Sequence, residues 1–359
     1  MSKEEYSTIL SEVKHQSVQK IMESQKSWPS ELFHYTNATG VHGILTSKAL
    51  FLTNLRYLND PNELTYVFSL AQKCLEIQRA DWVKHPNGDI IWDSVYSFLG
   101  HVISDYHESD LVFQNDEHDY YVCSLSESAD SLDQWRAYGD DGLGTCIGLN
   151  PNKLANVRWG LPSISITPPN TTFLVKMIYD EKEQMKTINE FLKVVLEMVE
   201  NADEGDNVAD VMWVTNEELS ELLHELRFIF KHKAYEQERE WRLVMIDNHN
   251  YLTGEFFDWL SDPERHPKPK EAVKLITPAV KTRVRNHEII PYLIFKIENE
   301  DSSDDDELFD GSASPPISQF ILGPRSNQMN ASLSLIHLLT ELGYGHYPKM
   351  DKSSAPYRV

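Results

Sequence analysis

Tyr120-Tyr121-Val122-Cys123-Ser124-Leu125 is followed by Asp130-Ser131-Leu132-Asp133-Gln134-Trp135-Arg136-Ala137-Tyr138, by the glycine turn Gly139-Asp140-Asp141-Gly142-Leu143-Gly144, and by Thr145-Cys146-Ile147-Gly148-Leu149. The aromatic and β-branched residues of the first segment suit a pleated strand. Asp130 or Ser131 then caps a short helix, and the glycines close a turn into a second strand. Working back toward the start, strands are expected at Leu32–Tyr35 and Ala49–Thr53, with a helix opening near Thr36 or Asn37 between them and helices over about 62–79 and 90–106. Working forward, strands are expected at Thr172–Tyr179, Trp241–Ile246, Ile289–Ile297 and Ile317–Leu322, with a last helix over Ser326–Leu342. Two amphipathic helices, 181–201 and 216–232, read as an insertion between strands. Short strands among clustered helices argue for an α+β domain rather than a regular βαβ series.

The 359 residues are 41% hydrophobic and 25% charged, so a sizeable core is available and disorder as the main state is excluded. Net charge is −23, and seven of the acids lie between Glu300 and Asp310. A field of that sign disfavours nonspecific nucleic-acid binding and polybasic membrane attachment. The acidic, Ser-rich segment 299–316 cannot repay its own ordering and is expected to be a flexible loop, not a domain boundary. Residues 1–28 read as an amino-terminal helix and 29–359 as one domain. Three cysteines without paired spacing fit a reducing cytoplasm, and no apolar run approaches the roughly 18 residues of a membrane helix.

Four polar groups sit at strand ends: His34-Tyr35-Thr36, Asn59-Asp60-Pro61-Asn62-Glu63, Ser124 and Ser126 with the Trp135-Arg136-Ala137-Tyr138 helix, and Glu238-Arg239-Glu240-Trp241-Arg242. Alternate residues of a strand share a face, so Glu238, Glu240 and Arg242 project together, as do His34 and Thr36, or Ser124 and Ser126. A structural salt-bridge lattice of Arg136, Arg242 and the two glutamates is the plain alternative to chemistry. Asn59 and Asp60 also suit turn and cap geometry. The glycine turn precedes a strand rather than a helix and lacks Gly-Lys-Ser/Thr, so it reads as a hairpin turn rather than a phosphate loop. Asp116-Glu117-His118-Asp119 has ligand residue types without ligand spacing, and no metal is expected.

Leu58-Asn59-Asp60-Pro61-Asn62-Glu63, Cys123-Ser124-Leu125-Ser126, Trp135-Arg136-Ala137-Tyr138-Gly139, Gly142-Leu143-Gly144 and Glu238-Arg239-Glu240-Trp241-Arg242 resemble, in order, the motifs of the bacterial domain-of-unknown-function family 2971. The order His-Tyr-Thr, Ser strand and late Glu strand is in turn similar to the ADP-ribosyltransferase superfamily. That resemblance implies an ADP-ribosyltransferase-like fold of mixed or antiparallel sheets, with NAD as substrate and an unidentified macromolecular acceptor or water. A toxin or phage-defence setting would go with it. Breaking the nicotinamide bond builds positive charge on ribose, which a carboxylate stabilises. The resemblance gives that role to Glu240 with Glu238, and to Ser124 the fixing of the carboxylate. His34, Tyr35 and Thr36 would bind the adenine-side ribose or the rings, Arg56 or Arg136 a diphosphate oxygen, and Tyr35, Trp135 or Tyr138 the cationic nicotinamide. Asn59, Asp60, Ser126 and Arg242 would line the pocket. The alternative keeps the fold as a non-enzymatic nucleotide- or protein-binding module.

Overall fold

The computed structural model describes residues 2–25, 27–58, 60, 62–108, 119–154, 157–158, 172–200, 208–247, 280–285, 287–297, 316–344 and 347–357. The segment 299–315 and Asn59, both singled out in the sequence, lie outside them, as does most of Asp116–Asp119.

Helix α1 (Lys3–Ser24) begins with a capping box in which Ser2 and Glu5 satisfy each other's backbone amides. Strand β1 (Leu32–Thr36) leads into α2 (Ala38–Ser47), whose first turn is capped by Asn37 Oδ1 accepting the Gly40 N–H at 2.8 Å. Then come β2 (Ala49–Asn54), α3 (Tyr66–Trp82), α4 (Gly88–Glu108), β3 (Asp119–Ser126), α5 (Leu132–Ala137) and β4 (Thr145–Leu149). Two short strands, β5 (Val157–Arg158) and β6 (Thr172–Lys176), precede the inserted helices α6 (Glu181–Glu200) and α7 (Val208–Leu226). The chain ends with β7 (Glu240–Asp247), β8 (Lys281–Arg285), β9 (Glu288–Lys296), β10 (Ile317–Leu322), α8 (Gln328–Glu341) and β11 (Lys349–Lys352).

The architecture is mixed α+β. Among the described residues, eleven strands form one sheet whose main path runs β11-β10-β4-β1-β3-β2-β9-β8. Among the described strands only β10 with β11 and β5 with β6 pair in parallel. The sheet forks at β3. One edge of β3 is taken along its length by β7, from Asp119↔Asp247 to Ser126↔Glu240. The opposite edge is shared, with β1 meeting it at Phe33↔Ser126 and β2 at Thr53↔Val122 and Asn54↔Tyr121. Between those two junctions the edge of Cys123–Leu125 is left to side chains.

Cross-strand partners share a face, so the register sorts the side chains. One face carries Leu52, Cys123, Leu125, Ile147, Leu174, Trp241 and Leu243, all in one apolar cluster that α2 and α8 cover. The other face carries two separate clusters. Val122, Val175 and Val244 belong to the large one built with α1, α3, α4, α6 and α7, while Phe33, Tyr35, Cys146 and Ile321 pack with Trp135 of α5. Between these two clusters lies a polar band, and the candidate site is in it.

The 139–144 turn reads as structure. Asp140 and Asp141 have positive φ, the Gly144 N–H donates to Gly139 O at 2.9 Å, and a Cβ on Gly144 would stand 2.2 Å from Thr36 O. No helix of the described residues is long and apolar enough to cross a membrane.

Candidate functional site

Glu240 opens β7 opposite Ser126, and Arg242 lies opposite Ser124. Period-2 alternation puts both on the polar band, where Arg242 Nε donates to Glu240 Oε1 at 2.7 Å and Nη2 to Oε2 at 3.1 Å. The other partner of Glu240 comes from the turn after α7: Lys231 Nζ donates to Glu240 Oε2 at 2.6 Å and to Glu238 Oε2 at 2.7 Å. Glu63, delivered by the turn before α3, pairs with Arg242 Nη2. Glu238 completes the group, its Oε1 accepting from the Tyr138 hydroxyl at 2.9 Å. Three carboxylates thus face two cations, and the cluster keeps one negative charge.

Access differs sharply between the two glutamates. The Glu240 side chain is 3% exposed and the Glu238 side chain 18%. Burial alone would raise the Glu240 carboxyl, but Arg242 and Lys231, by charge and hydrogen bond, outweigh it and hold it down at about 2. Burial would lower the Arg242 guanidinium and Lys231 ammonium; their carboxylate neighbours reverse that and raise both. The backbone is tied as firmly. The Tyr179 hydroxyl accepts from the Glu240 N–H at 3.0 Å, Ser126 Oγ donates to Glu238 O at 2.7 Å, and Gln184 Nε2 donates to Lys231 O at 3.0 Å.

A cavity of about 220 Å³ opens beside the cluster, lined by Asp60, Glu63, Tyr66, Lys231, His232 and Tyr235 among others. Its wall is acidic and aromatic, which suits a planar cation. Ser124, opposite Arg242, is exposed on the same sheet face.

At the fork, His34 Nδ1 stands 3.2 Å from Ser124 O, a contact in which the ring nitrogen donates because a carbonyl only accepts. Burial, with the nearby Arg283 charge, lowers the His34 imidazole below its usual range and leaves it neutral, so Nε2 is an acceptor.

The sequence candidates therefore divide. Glu238, Glu240, Arg242, Tyr138 and Ser126 meet in one hydrogen-bonded group, with Asp60 on the cavity wall and Ser124 and His34 at the adjoining fork. Tyr35 and Trp135 are core residues in edge-to-face contact at 4.8 Å, the Tyr35 hydroxyl donating to Ser128 O and Trp135 Nε1 to Asp130. Arg136 is exposed, its guanidinium 5.5 Å from the Tyr357 ring, and takes no part in the lattice expected for it. Arg56 sits half-buried in the turn after β2, and Thr36 ends β1 against Gly40, where only a missing Cβ leaves room for its hydroxyl. Lys231 stands in the lattice where Arg136 was expected, and Glu63 adds a third carboxylate to it.

No curated protein and no solved structure matches this chain. A family model does. The family described as Protein of unknown function (DUF2971) matches residues 134–243, from the third residue of the Trp135 helix through the Glu238-x-Glu240-x-Arg242 segment. The matched stretch holds Tyr138, Lys231, Glu238, Glu240 and Arg242 of this group and leaves Glu63 and Ser126 outside. Among the described residues no group of three or more His, Cys, Asp or Glu is placed to hold a metal ion.

Proposed function

We propose that the chain cleaves the bond between nicotinamide and ribose in NAD, passing ADP-ribose to an acceptor or to water on an ADP-ribosyltransferase-like fold. The observation that carries this reading is the ion cluster: a surplus of one carboxylate, with Glu238 as the member that reaches solvent, beside a cavity walled by Tyr66, Tyr235, Asp60 and Glu63. A cationic nicotinamide ring would stack on the tyrosines, and loss of nicotinamide would leave positive charge on ribose for a carboxylate to stabilise. In this reading Glu238 touches the reacting ribose. Glu240 is a positioning residue, fixing Lys231 and Arg242 so that Glu238 is held by Lys231 and Tyr138 in one rotamer.

The second reading, a binding module without turnover, is favoured by one specific observation: both oxygens of Glu238, as of Glu240, are already engaged. Incubating the full chain with NAD separates the two. Release of nicotinamide that falls on the order of 10²–10³-fold in Glu238→Gln supports cleavage. Saturable NAD binding with no nicotinamide released supports the module.

A further inference from the structure

Helix α5 delivers Tyr138 to the ion cluster, yet a helix of 6 residues cannot fix its own position. Ser131 occupies the N-cap without a side-chain cap bond, so the helix start is not closed locally. Asp130, just before it, bonds elsewhere. Its Oδ1 accepts from Trp135 Nε1 at 2.7 Å and from Ser353 Oγ at 2.5 Å, and its Oδ2 accepts from the Ser354 N–H at 2.8 Å and Ser354 Oγ at 3.0 Å. Burial would raise the Asp130 carboxyl; the bonds from Ser353, Trp135 and Ser354 outweigh it and lower it. Three of these four bonds come from the segment 353–357, which follows β11.

The same segment is fastened a second time. The Tyr357 hydroxyl donates to Asp141 of the 139–144 turn, which also pairs with Arg325, and the Arg136 and Arg325 guanidinium carbons stand 5.5 and 5.4 Å from the Tyr357 ring centroid. Residues 353–357 therefore run as a strap from the residue before α5 to the turn after it. From α5 the contact continues to the site. Trp135 is fully buried, and Gly139 lies so close to its indole that a Cβ there would stand 2.5 Å from Trp135 Cε3. Gln134 O accepts from the Tyr138 and Gly139 N–H groups at 2.9 and 3.1 Å. The indole thus sets the backbone at Tyr138, whose hydroxyl donates to Glu238 Oε1 at 2.9 Å. Within the strap Ala355 alone joins an apolar cluster and Ser354 is exposed, so polar contacts hold most of it, and such a segment opens more readily than the core.

We propose that the strap positions Glu238: Asp130 is a positioning residue that holds the Trp135 indole, the indole sets Tyr138, and Tyr138 fixes Glu238 in the rotamer that acts on ribose. Loosening the strap slows the site without dismantling it. This deepens the cleavage reading and rests on it for the role of Glu238. It adds a control element, since Asp130 and the strap both lie outside the family match at 134–243.

The test is steady-state nicotinamide release from NAD by the full chain as wild type, Ser354→Glu, Tyr138→Phe and the double variant, with the NMR resonance of the Tyr138 Cζ read alongside. Ser354→Glu sets a second carboxylate against Asp130 and detaches the strap by like-charge repulsion. Because Glu238 answers charge that develops only in the transition state, kcat should fall about tenfold in Ser354→Glu with KM nearly unchanged. Tyr138→Phe should lose a similar factor, and the double variant no more than Tyr138→Phe alone, since both act on one contact. The Tyr138 resonance in Ser354→Glu should move toward its position in Glu238→Gln, which lacks the charged acceptor. Wild-type kcat in Ser354→Glu, or a double variant slowed by the product of the two single effects, would overturn the proposal. If Ser354→Glu does not fold, Ser354→Ala, which deletes only the hydroxyl bond, makes the same comparison: its loss must vanish in the Tyr138→Phe background. The parent reading fails separately. No release by a folded wild type removes cleavage, and the resonance then decides the strap, which stands if the signal shifts in Ser354→Glu and falls if it stays.

Discussion

Glu238 and Glu240 are two residues apart and have opposite chemistry. Both oxygens of Glu240 are bonded to buried cations, and it is almost sealed from water, whereas Glu238, held by Lys231 and the Tyr138 hydroxyl, is 18% exposed. Glu240→Gln is therefore expected to destabilise the fold by about 3–5 kcal/mol, because it strands Lys231 and part of Arg242 as buried charges. Chemical denaturation measures this directly; a change under about 1 kcal/mol would mean that the lattice is solvated and the geometry is misread. Glu238→Gln is expected to be mild in stability and severe in turnover. His34→Ala should leave the unliganded midpoint nearly unchanged and lose the rise that NAD gives the wild type; a fall of the unliganded midpoint would make His34 a packing residue instead. The Glu-x-Glu-x-Arg alternation made the group visible in the sequence, because a strand repeats every second residue. Alternation says nothing about partners. Lys231 and Glu63, which decide which glutamate is open, lie 9 and 177 residues from Glu240 and reach it only through the fold.

The same limit appears at the level of elements. Strands with an apolar face, such as β3, β4, β7 and β10, stand within a residue or so of where their composition predicts them. Strands β8 and β11 carry Lys-Thr-Arg-Val-Arg and Lys-Met-Asp-Lys, so no hydrophobic pattern announces them; they are held by backbone pairing at sheet edges. Helix α7 runs over Val208–Leu226 rather than 216–232. The apolar run Phe228-Ile229-Phe230 looks like its continuation, but the chain turns after Leu226, Phe230 forms a parallel bridge with Ile178, and Lys231 is thereby aimed into the lattice. Helix α1 is fastened to α7 by buried Lys14, which pairs with Glu218 at 2.8 Å and also with Glu221. Lys14→Ala leaves Glu218 in the interior without its cation and is expected to cost about 3 kcal/mol, read as a lower denaturation midpoint. An unchanged midpoint would mean that apolar contacts such as Tyr6 and Leu10 dock the helix alone.

At the scale of the whole molecule, two acids set opposing pH slopes. Glu225, near the end of α7, is pushed up to about 7 chiefly by burial, with repulsion from Glu221 adding to it and Lys14 opposing it. The folded state thus binds the proton more tightly than the unfolded chain, and stability falls as pH rises from about 4.5 toward 7, by at most ~3 kcal/mol. Glu240 works the other way: its contribution is present above about 4.5 and is lost as pH falls toward 2. Thermal midpoints are expected to peak near pH 5, with the decline toward pH 7 flattened in Glu225→Gln; an equal decline in that variant would assign the slope elsewhere. Against a net charge of −23, Lys231 and Arg242 are neutralised inside the cluster. The most direct test of the central claim is one assay of nicotinamide release from NAD by the purified full chain and its Glu238→Gln variant. Release by the wild type and a loss of on the order of 10²-fold or more in the variant are expected; no release by a folded wild-type protein, or equal release by both, would rule out cleavage at Glu238.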